Sequence, residues 1–418
     1  EKIMENIGII LAGSNDARFN SNKSKHVHKL FGKEIIRRVF NSVKEAGIEK
    51  IATVVGEKKE QIQEVLKDET EYIYQEKVFG TGHAIIKSRE FLEGKSGKVL
   101  IINGDTPLIE SSTIKKLMEK AKENAATFLT AIYSNPKGYG RVVRNEYGDV
   151  VEIVEEEFCD NEQKLIQEIN SGIYCFDIKE LQEALEELVS EDGKYYITDI
   201  IKIMKQKELK VEAMILEDNT EILGVNDRIQ LELLNKILKI KINTKHMKNG
   251  VTIEDMQNTY IYDDVKIGKD TIIHPNTIIK SNVIIGDECE IGPNAYIREG
   301  CNLANKVKIG NCVEIKKAII GEGTKIPHLS YMGDCEIGQK CNIGCGTITC
   351  NYDGFNKSKT IIGNNTFVGS NVNLVAPVKL GDNTFVAAGS TITDNVPEYS
   401  LAIARQRQIN KEGWNKRN

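Results

Sequence analysis

The chain has 418 residues, 40% of them hydrophobic, and a formal net charge of −5. That length exceeds one typical domain and predicts two, while the acidic balance argues against general nucleic-acid or anionic-membrane binding, so anionic small substrates need local basic pockets. No apolar run approaches the roughly eighteen residues of a membrane span, and residues 7–12 are too short for a signal-peptide core, which predicts a soluble, cytoplasmic protein.

Met4, rather than Glu1, is read as the native start. Nine cysteines, odd in number and without framework spacing, read as reduced thiols. From Ile7 to about Leu223 short aliphatic runs alternate with amphipathic segments, the pattern of βαβ units and a mainly parallel sheet. Strands are predicted at 7–12, 51–55, 99–103, 127–132 and 211–215. Residues 34–46 set Ile35, Ile36, Val39, Phe40 and Val43 on one helical face and stop at Gly47. Ligands gather at the carboxyl ends of strands in such sheets, which points to Leu11, Ala12 and Gly13 and to Gly104 and Asp105.

Ile229, Leu233, Leu234, Ile237 and Leu238 recur at helical spacing and predict a connecting helix over 228–250. It separates a first domain, 1–227, from a second, 251–404, and a basic tail, 405–418, follows. In the second domain an aliphatic residue recurs every six positions from Ile261 to Ile315, resumes after one slipped residue at Ile320 and Ile326, and runs again from Ile362 to Ile392. That period fits neither an amphipathic helix nor an alternating strand; it fits a solenoid whose coil holds three short strands and three turns. Cys289 and Cys301 occupy small-residue places of this repeat and read as core filler, and Cys341, Cys345 and Cys350 lack zinc-ligand spacing. Residues 345–360 break the period and are predicted to project as a loop. By fold-level analogy the solenoid is expected to form a trimer.

Coils are eighteen residues apart, so Arg298 and Lys316 stack on one wall of the prism. Paired cations make a phosphate site, and His328, in a stretch where the period is disturbed, is a candidate base because an imidazole titrates near neutrality. His26, His28, His83, His246 and His274 are read as structural.

The chain resembles the bacterial bifunctional N-acetylglucosamine-1-phosphate uridyltransferase / glucosamine-1-phosphate acetyltransferase family over nearly its whole length. KIPHLSYMGD from Lys325, NIGCGTITCNYDG from Asn342, YGR from Tyr139, QEINSG from Gln167, YYITDI from Tyr195 and GVNDR from Gly224 carry the resemblance. It implies a Rossmann-like α/β nucleotidyltransferase domain followed by a left-handed parallel β-helix, assembled as a homotrimer. For the β-helix it implies acetyl transfer from acetyl-CoA to glucosamine 1-phosphate, with His328 as base and Glu314 orienting it. Arg298, Lys316 and Lys357 are then expected on the phosphate and Tyr331, Asn342 and Tyr352 on the sugar. Asn351, Cys345, Ser370, Ala388 and Arg405 are expected on acetyl-CoA. For the first domain it implies uridylyl transfer from UTP to N-acetylglucosamine 1-phosphate, with Asp105 and Asn226 holding Mg2+, Gln75, Gly80 and Thr81 reading uracil, and Gly140, Glu155 and Asn170 holding the sugar. Arg18 and Lys25 match pyrophosphate contacts.

One loop departs from the family pattern. Where relatives carry two phosphate-cradling glycines, this chain has Ser14 and Asp16. Glycine lets backbone approach a triphosphate, whereas a carboxylate at about 4 Å costs roughly 4 kcal/mol at an effective dielectric near 20. The substitutions predict a first activity that is weakened, altered in nucleotide choice or lost. Three other readings remain open at this stage: an acetyltransferase with a degenerate first domain, a nucleotidyltransferase with a structural β-helix, and a non-catalytic scaffold.

Overall fold

The computed structural model describes residues 5–13, 17–190 and 193–414. Two compact units, Glu1–Asn235 and Lys236–Asn418, divide the chain inside the helix Arg228–Lys248.

The first unit is built on β1 (Glu5–Ala12), β2 (Lys50–Val55), β3 (Glu71–Tyr74), β4 (Gly97–Asn103), β5 (Ala126–Ile132), β6 (Arg141–Arg144), β7 (Val150–Val154), β8 (Glu168–Asp177) and β9 (Val211–Ile215). The main sheet runs β9-β5-β8-β4-β1-β2-β3, with β6 and β7 as a hairpin beside β8. Both faces are covered, so successive residues of one strand enter opposite cores. Ile7 and Ile9 pack with Val99 and Ile101, while Ile10 packs with Ile36, Phe40 and Leu100. A strand buried on both faces reads as an unbroken aliphatic run, which is why β1 and β4 were legible in the chain. β1 pairs in parallel with β2 on one side and β4 on the other, which opens a crevice at its carboxyl end.

The sheet is mixed where a mainly parallel one was expected, because β8 runs antiparallel to β4, β5 and β6. Its run is interrupted by Asn170, Ser171 and Gly172, where the register shifts, so no aliphatic period announces it. The helix expected at 34–46 is Ile35–Glu45, and its five apolar positions are buried.

The second unit is a left-handed parallel β-helix of three walls. Ile272, Glu290 and Lys308 lie in register on the first wall and Ile278, Tyr296 and Glu314 on the second, while Ile284, Asn302 and Ile319 pair on the third. Residues Ile273, Ile279, Ile285, Ile291 and Ile297 point inward and are buried. Corners need left-handed backbone, which Asp270, Asn276, Asn282 and Asn294 adopt at φ of 60°, 59°, 57° and 52°. Asn and Asp tolerate that region because their short polar side chains bond locally. Cys289 and Cys301 fill the core as expected.

The coil offset is not constant. Pairs such as Ile272↔Glu290 are eighteen residues apart, Lys308↔Lys325 and Lys325↔Asn342 seventeen, and Asn342↔Phe367 twenty-five. The disturbed stretch 345–360 therefore projects less than expected: Ile348–Cys350 stays in the wall, paired with Asn373–Val375, and only residues 351–359 leave the prism. In the helix Arg228–Lys248 the buried apolar positions are Leu234, Leu238 and Ile242, whereas Ile229 and Leu233, expected on the apolar face, are exposed. Its carboxyl half is instead anchored by Asn243, whose amide donates to Met256 O at 3.1 Å and Thr259 O at 3.0 Å.

Two candidate active sites

In the first unit, the ends of β1 and β4 are tied by Gly104 N donating to Leu11 O at 2.8 Å. Ala12 and Gly13 follow. A Cβ on Gly13 would lie 2.9 Å from Gln75 Oε1, so the main chain passes directly beside the expected uracil reader. Gln75 is buried, its N–H donates to Val55 O at 2.8 Å, and its amide nitrogen lies 2.9 Å from His83 Nδ1. A cleft of about 800 Å³ opens here, lined by Gly13, Ser24, Gly56, Gln75 and Phe79 among others. Gly80, at φ +91°, and Gly82 press against Tyr195, whose carbonyl accepts from Gly82 N at 2.8 Å, and Thr81 Oγ1 accepts from Ile197 N at 3.2 Å. The YYITDI segment thus buttresses the turn that carries Gly80 and Thr81. Arg18 is exposed in the short turn Ala17–Phe19. Ser14 and Asp16 lie outside the described residues.

Lys25, Asp105 and Asn226 converge. The buried Lys25 ammonium donates to Asp105 Oδ2 at 2.5 Å and to Asn226 Oδ1 at 2.9 Å. Val225 N donates to Asp105 O at 3.0 Å and Asn226 N to Gln230 Oε1 at 2.7 Å, which sets the two oxygens side by side. A Cβ on Gly224 would fill space 3.7 Å from Asp105 Oδ1 and 3.8 Å from Asn226 Nδ2. A carboxylate and an amide carbonyl are hard donors that fit Mg2+, an ion that takes its remaining ligands from water and substrate phosphates. Among the described residues no three His, Cys, Asp or Glu side chains are grouped to hold a metal.

Gly140, Glu155 and Asn170 are gathered by the β6–β7 hairpin and β8. Asn170 N donates to Gly140 O at 2.9 Å and its amide to Tyr174 OH at 2.6 Å. Glu155 accepts from Thr198 Oγ1 at 2.9 Å beside a hollow of about 220 Å³. Burial raises its carboxyl above the usual range, partly opposed by the Thr198 hydroxyl. Two residues escaped notice in the sequence. Asn103 ends β4, and its amide nitrogen would stand 2.5 Å from a Cβ on Gly172, whose φ of +78° lies in the left-handed region that favours glycine. Arg141, quoted only within a motif, lies buried beneath the group, its guanidinium donating to Tyr139 O and pairing with Glu156 at 2.7 Å.

In the β-helix, two columns form. On the second wall, Ile297↔Ile315 and Lys316↔Gly333 put Arg298 above Lys316 and Lys316 above Gly333. Gly333 is closely covered: a Cβ there would lie 2.3 Å from Tyr331 OH and 2.9 Å from Asn351 Nδ2. Asn351, buried, donates to Asp334 Oδ2 at 2.5 Å. It begins a hairpin in which Tyr352 bridges Lys357 and Asp353 Oδ1 accepts from Phe355 N at 2.8 Å. Lys357 returns beside Lys316, whose hydrogen bond and positive charge lower its pKa from the lysine norm. Tyr331, Asn351, Lys316 and Lys357 are thus brought together.

The other column rises at the corner after the first wall. Asn311 pairs with His328; one coil on, Lys325↔Asn342 sets Cys345 over His328, and Ile343↔Val368 and Val368↔Val386 set Ser370 and Ala388 over Cys345. Cys345 O accepts from Asn371 N, and Ser370 O from Gly389 N, both at 2.8 Å. Arg405 Cδ lies 3.7 Å from where a Gly389 Cβ would be. His328 is exposed, and its carbonyl accepts from Ser330 Oγ at 2.7 Å. Asn342 is on the first wall, so one chain does not gather it with Tyr331 and Tyr352, which belong to the second wall and the hairpin. Within one chain Glu314 does not stand beside His328. Glu314 lies on the second wall opposite Tyr331, and its carboxylate accepts from Arg298 Nη1 at 2.8 Å.

A sheet with its site at the carboxyl ends of parallel strands, followed by a hexapeptide prism, defines a nucleotidyltransferase joined to a hexapeptide transferase. Residues 7–233 match the nucleotidyl transferase family, and 282–317 and 359–394 the bacterial transferase hexapeptide family. The chain is 47% identical to the bifunctional protein GlmU of Acetivibrio thermocellus, over 98% of this chain and 96% of that one. It is 47% identical to that of Caldanaerobacter subterraneus, over 98% and 97%, and 45% identical to that of Clostridium kluyveri, over 98% of each. The chain belongs to the bifunctional GlmU family. Among the described residues no helix is long and apolar enough to cross a membrane.

Proposed function

We propose that the chain is a cytoplasmic, homotrimeric bifunctional enzyme of UDP-N-acetylglucosamine biosynthesis. The β-helix transfers acetyl from acetyl-CoA to glucosamine 1-phosphate, and the first unit transfers uridylyl from UTP to the resulting N-acetylglucosamine 1-phosphate. What carries the reading is the corner column of His328, Cys345, Ser370 and Ala388 on the same coils as the lysine pair.

An ammonium has no lone pair to offer a thioester, so His328 accepts the proton and frees the sugar amine for attack. Coenzyme A lies along Cys345, Ser370, Ala388 and Arg405, which sets the acetyl group at the His328 end. Lys316 and Lys357 hold the sugar phosphate through charge-assisted bonds. Arg298 joins them with its charge partly offset by Glu314. Within its own chain Glu314 therefore positions the phosphate site. Tyr331 and Tyr352 border the sugar, Asn351 lies near the acetyl group, and Asn342 reaches substrate from a neighbouring copy.

In the first unit, Gln75, Gly80 and Thr81 take the uracil, and Gly140, Glu155 and Asn170 the sugar. Arg18 and Lys25 take phosphate oxygens. Asp105 and Asn226 hold Mg2+, which when bound neutralises charge developing on the phosphates during in-line attack. The reaction then rests on positioning. Ser14 and Asp16 make it slower than in relatives with glycines there.

The test is one purified sample in two assays: thiol release from acetyl-CoA plus glucosamine 1-phosphate, and magnesium-dependent pyrophosphate release from UTP plus N-acetylglucosamine 1-phosphate. Both signals are expected. Absence of thiol release overturns the acetyltransferase reading, and absence of pyrophosphate release the uridyltransferase one.

A further inference from the structure

Asp105 and Asn226 present the two oxygens suited to a divalent cation, yet both are already engaged by one ammonium. Lys25 Nζ sits 2.5 Å from Asp105 Oδ2 and 2.9 Å from Asn226 Oδ1, with its side chain only 4% exposed and that of Asp105 17% exposed. The root of Lys25 is fixed. Ser24 caps the short turn Lys25–Val27, its hydroxyl accepting from His26 N, and Ser24 N donates to Gln61 Oε1 at 2.8 Å. The four-carbon stem is the part free to swing. Two cations cannot share the same pair of oxygens at contact distance, since their repulsion in a partly buried site is several times that in water.

We infer that Lys25 is a placeholder for the divalent cation: its ammonium neutralises Asp105 and blocks the oxygens of Asp105 and Asn226 until substrate phosphates draw it away. The cation then enters only together with the nucleotide. The ligand-free protein binds divalent cations poorly, not because donors are missing but because both residues are already engaged by Lys25. This rests on the reading of Asp105 and Asn226 as the cation ligands.

The experiment measures Mn2+ binding to full-length protein without nucleotide, by the loss of the free-ion electron paramagnetic resonance signal. Wild type is expected to bind weakly. Lys25→Met, which removes the charge and keeps the stem, is expected to bind about tenfold tighter or more, because Asp105 is left partly buried and uncompensated. Lys25→Arg keeps a cation at the site and is expected to stay weak. Lys25→Gln serves as a second neutral variant should the methionine protein not fold. Tight binding by a neutral variant that disappears on adding Asp105→Asn supports the placeholder. Equal or weaker binding by both neutral variants overturns it and leaves the ligand reading standing if Asp105→Asn still abolishes what binding there is. Tight binding that survives Asp105→Asn overturns it by placing the ion elsewhere. No Mn2+ binding by any of these proteins overturns the ligand reading and the placeholder with it.

Discussion

Arg141 is among the largest fully buried side chains in the chain, at 2% exposure. Burying a guanidinium is costly unless its donors are met, and here they point two ways. One nitrogen holds Tyr139 O, the residue before Gly140; another pairs with Glu156, the residue after Glu155, while Nε has no partner among the described residues. Arg141 also pairs with Ile169 and Val154 in the sheet, one residue from Asn170 and one from Glu155. The buried cation therefore ties the entry of β6 to the turn after β7, beside Gly140 and Glu155 of the proposed sugar group, while the link to β8 and Asn170 is made by the backbone. Arg141→Met keeps the length and removes the tie. Because Glu156 retains about a third of its surface in water, its unpaired charge is partly rescued by solvent, and the loss expected is about 2 kcal/mol rather than the fuller penalty of a deeply buried pair. Chemical denaturation measures that, and kinetics should show KM rising for N-acetylglucosamine 1-phosphate while KM for UTP holds. Equal rises in both would reduce Arg141 to general stability.

The β-helix was legible element by element because its physics is periodic: each inward position must be aliphatic, each corner must accept left-handed backbone, and neither requirement relaxes along the prism. Arg298 over Lys316 followed from that period alone, and the register bears the stacking out. What the period could not foretell is where it changes. The offset shortens to seventeen residues around His328, and the extra residues of the longer coil leave as a hairpin between Asn351 and Lys359. Both irregularities fall at the candidate site, where on the proposed reading side chains serve substrate and not the stack. Likewise β8 escaped because its register shifts between Asn170 and Tyr174, beside the proposed sugar group. The hairpin also delivers Lys357 against Lys316, an unfavourable contact that an anionic ligand relieves. Lys316→Ala should then raise KM for glucosamine 1-phosphate about tenfold or more, the worth of one charge-assisted bond, with a larger effect at low salt. KM for acetyl-CoA should stay nearly constant. A matching rise in both would mean the lysine pair supports the corner column and does not bind phosphate.

At the scale of the whole molecule, each constellation is drawn from one unit alone. Lys25, Asp105, Gly140, Asn170 and Asn226 all precede Asn235, and Arg298, His328, Lys316, Lys357 and Ala388 all follow Lys236. The helix Arg228–Lys248 carries the chain from one to the other, and its first turn serves the first constellation alone, through Gln230 on Asn226 N. Chemistry so divided should fail separately. His328→Ala removes the proton acceptor and is expected to lower acetyl transfer by about a hundredfold or more, the usual contribution of a positioned base, while pyrophosphate release stays at the wild-type rate. Asp105→Asn is expected to do the reverse, because the amide replaces a charged oxygen at the cation ligands and touches nothing in the prism. A mixture of the two variants then converts glucosamine 1-phosphate, acetyl-CoA and UTP to the nucleotide sugar, since the acetylated intermediate diffuses from one intact site to the other. If either substitution silenced both assays, the two activities would be coupled through the assembly, and the additive picture of separate sites would have to be given up.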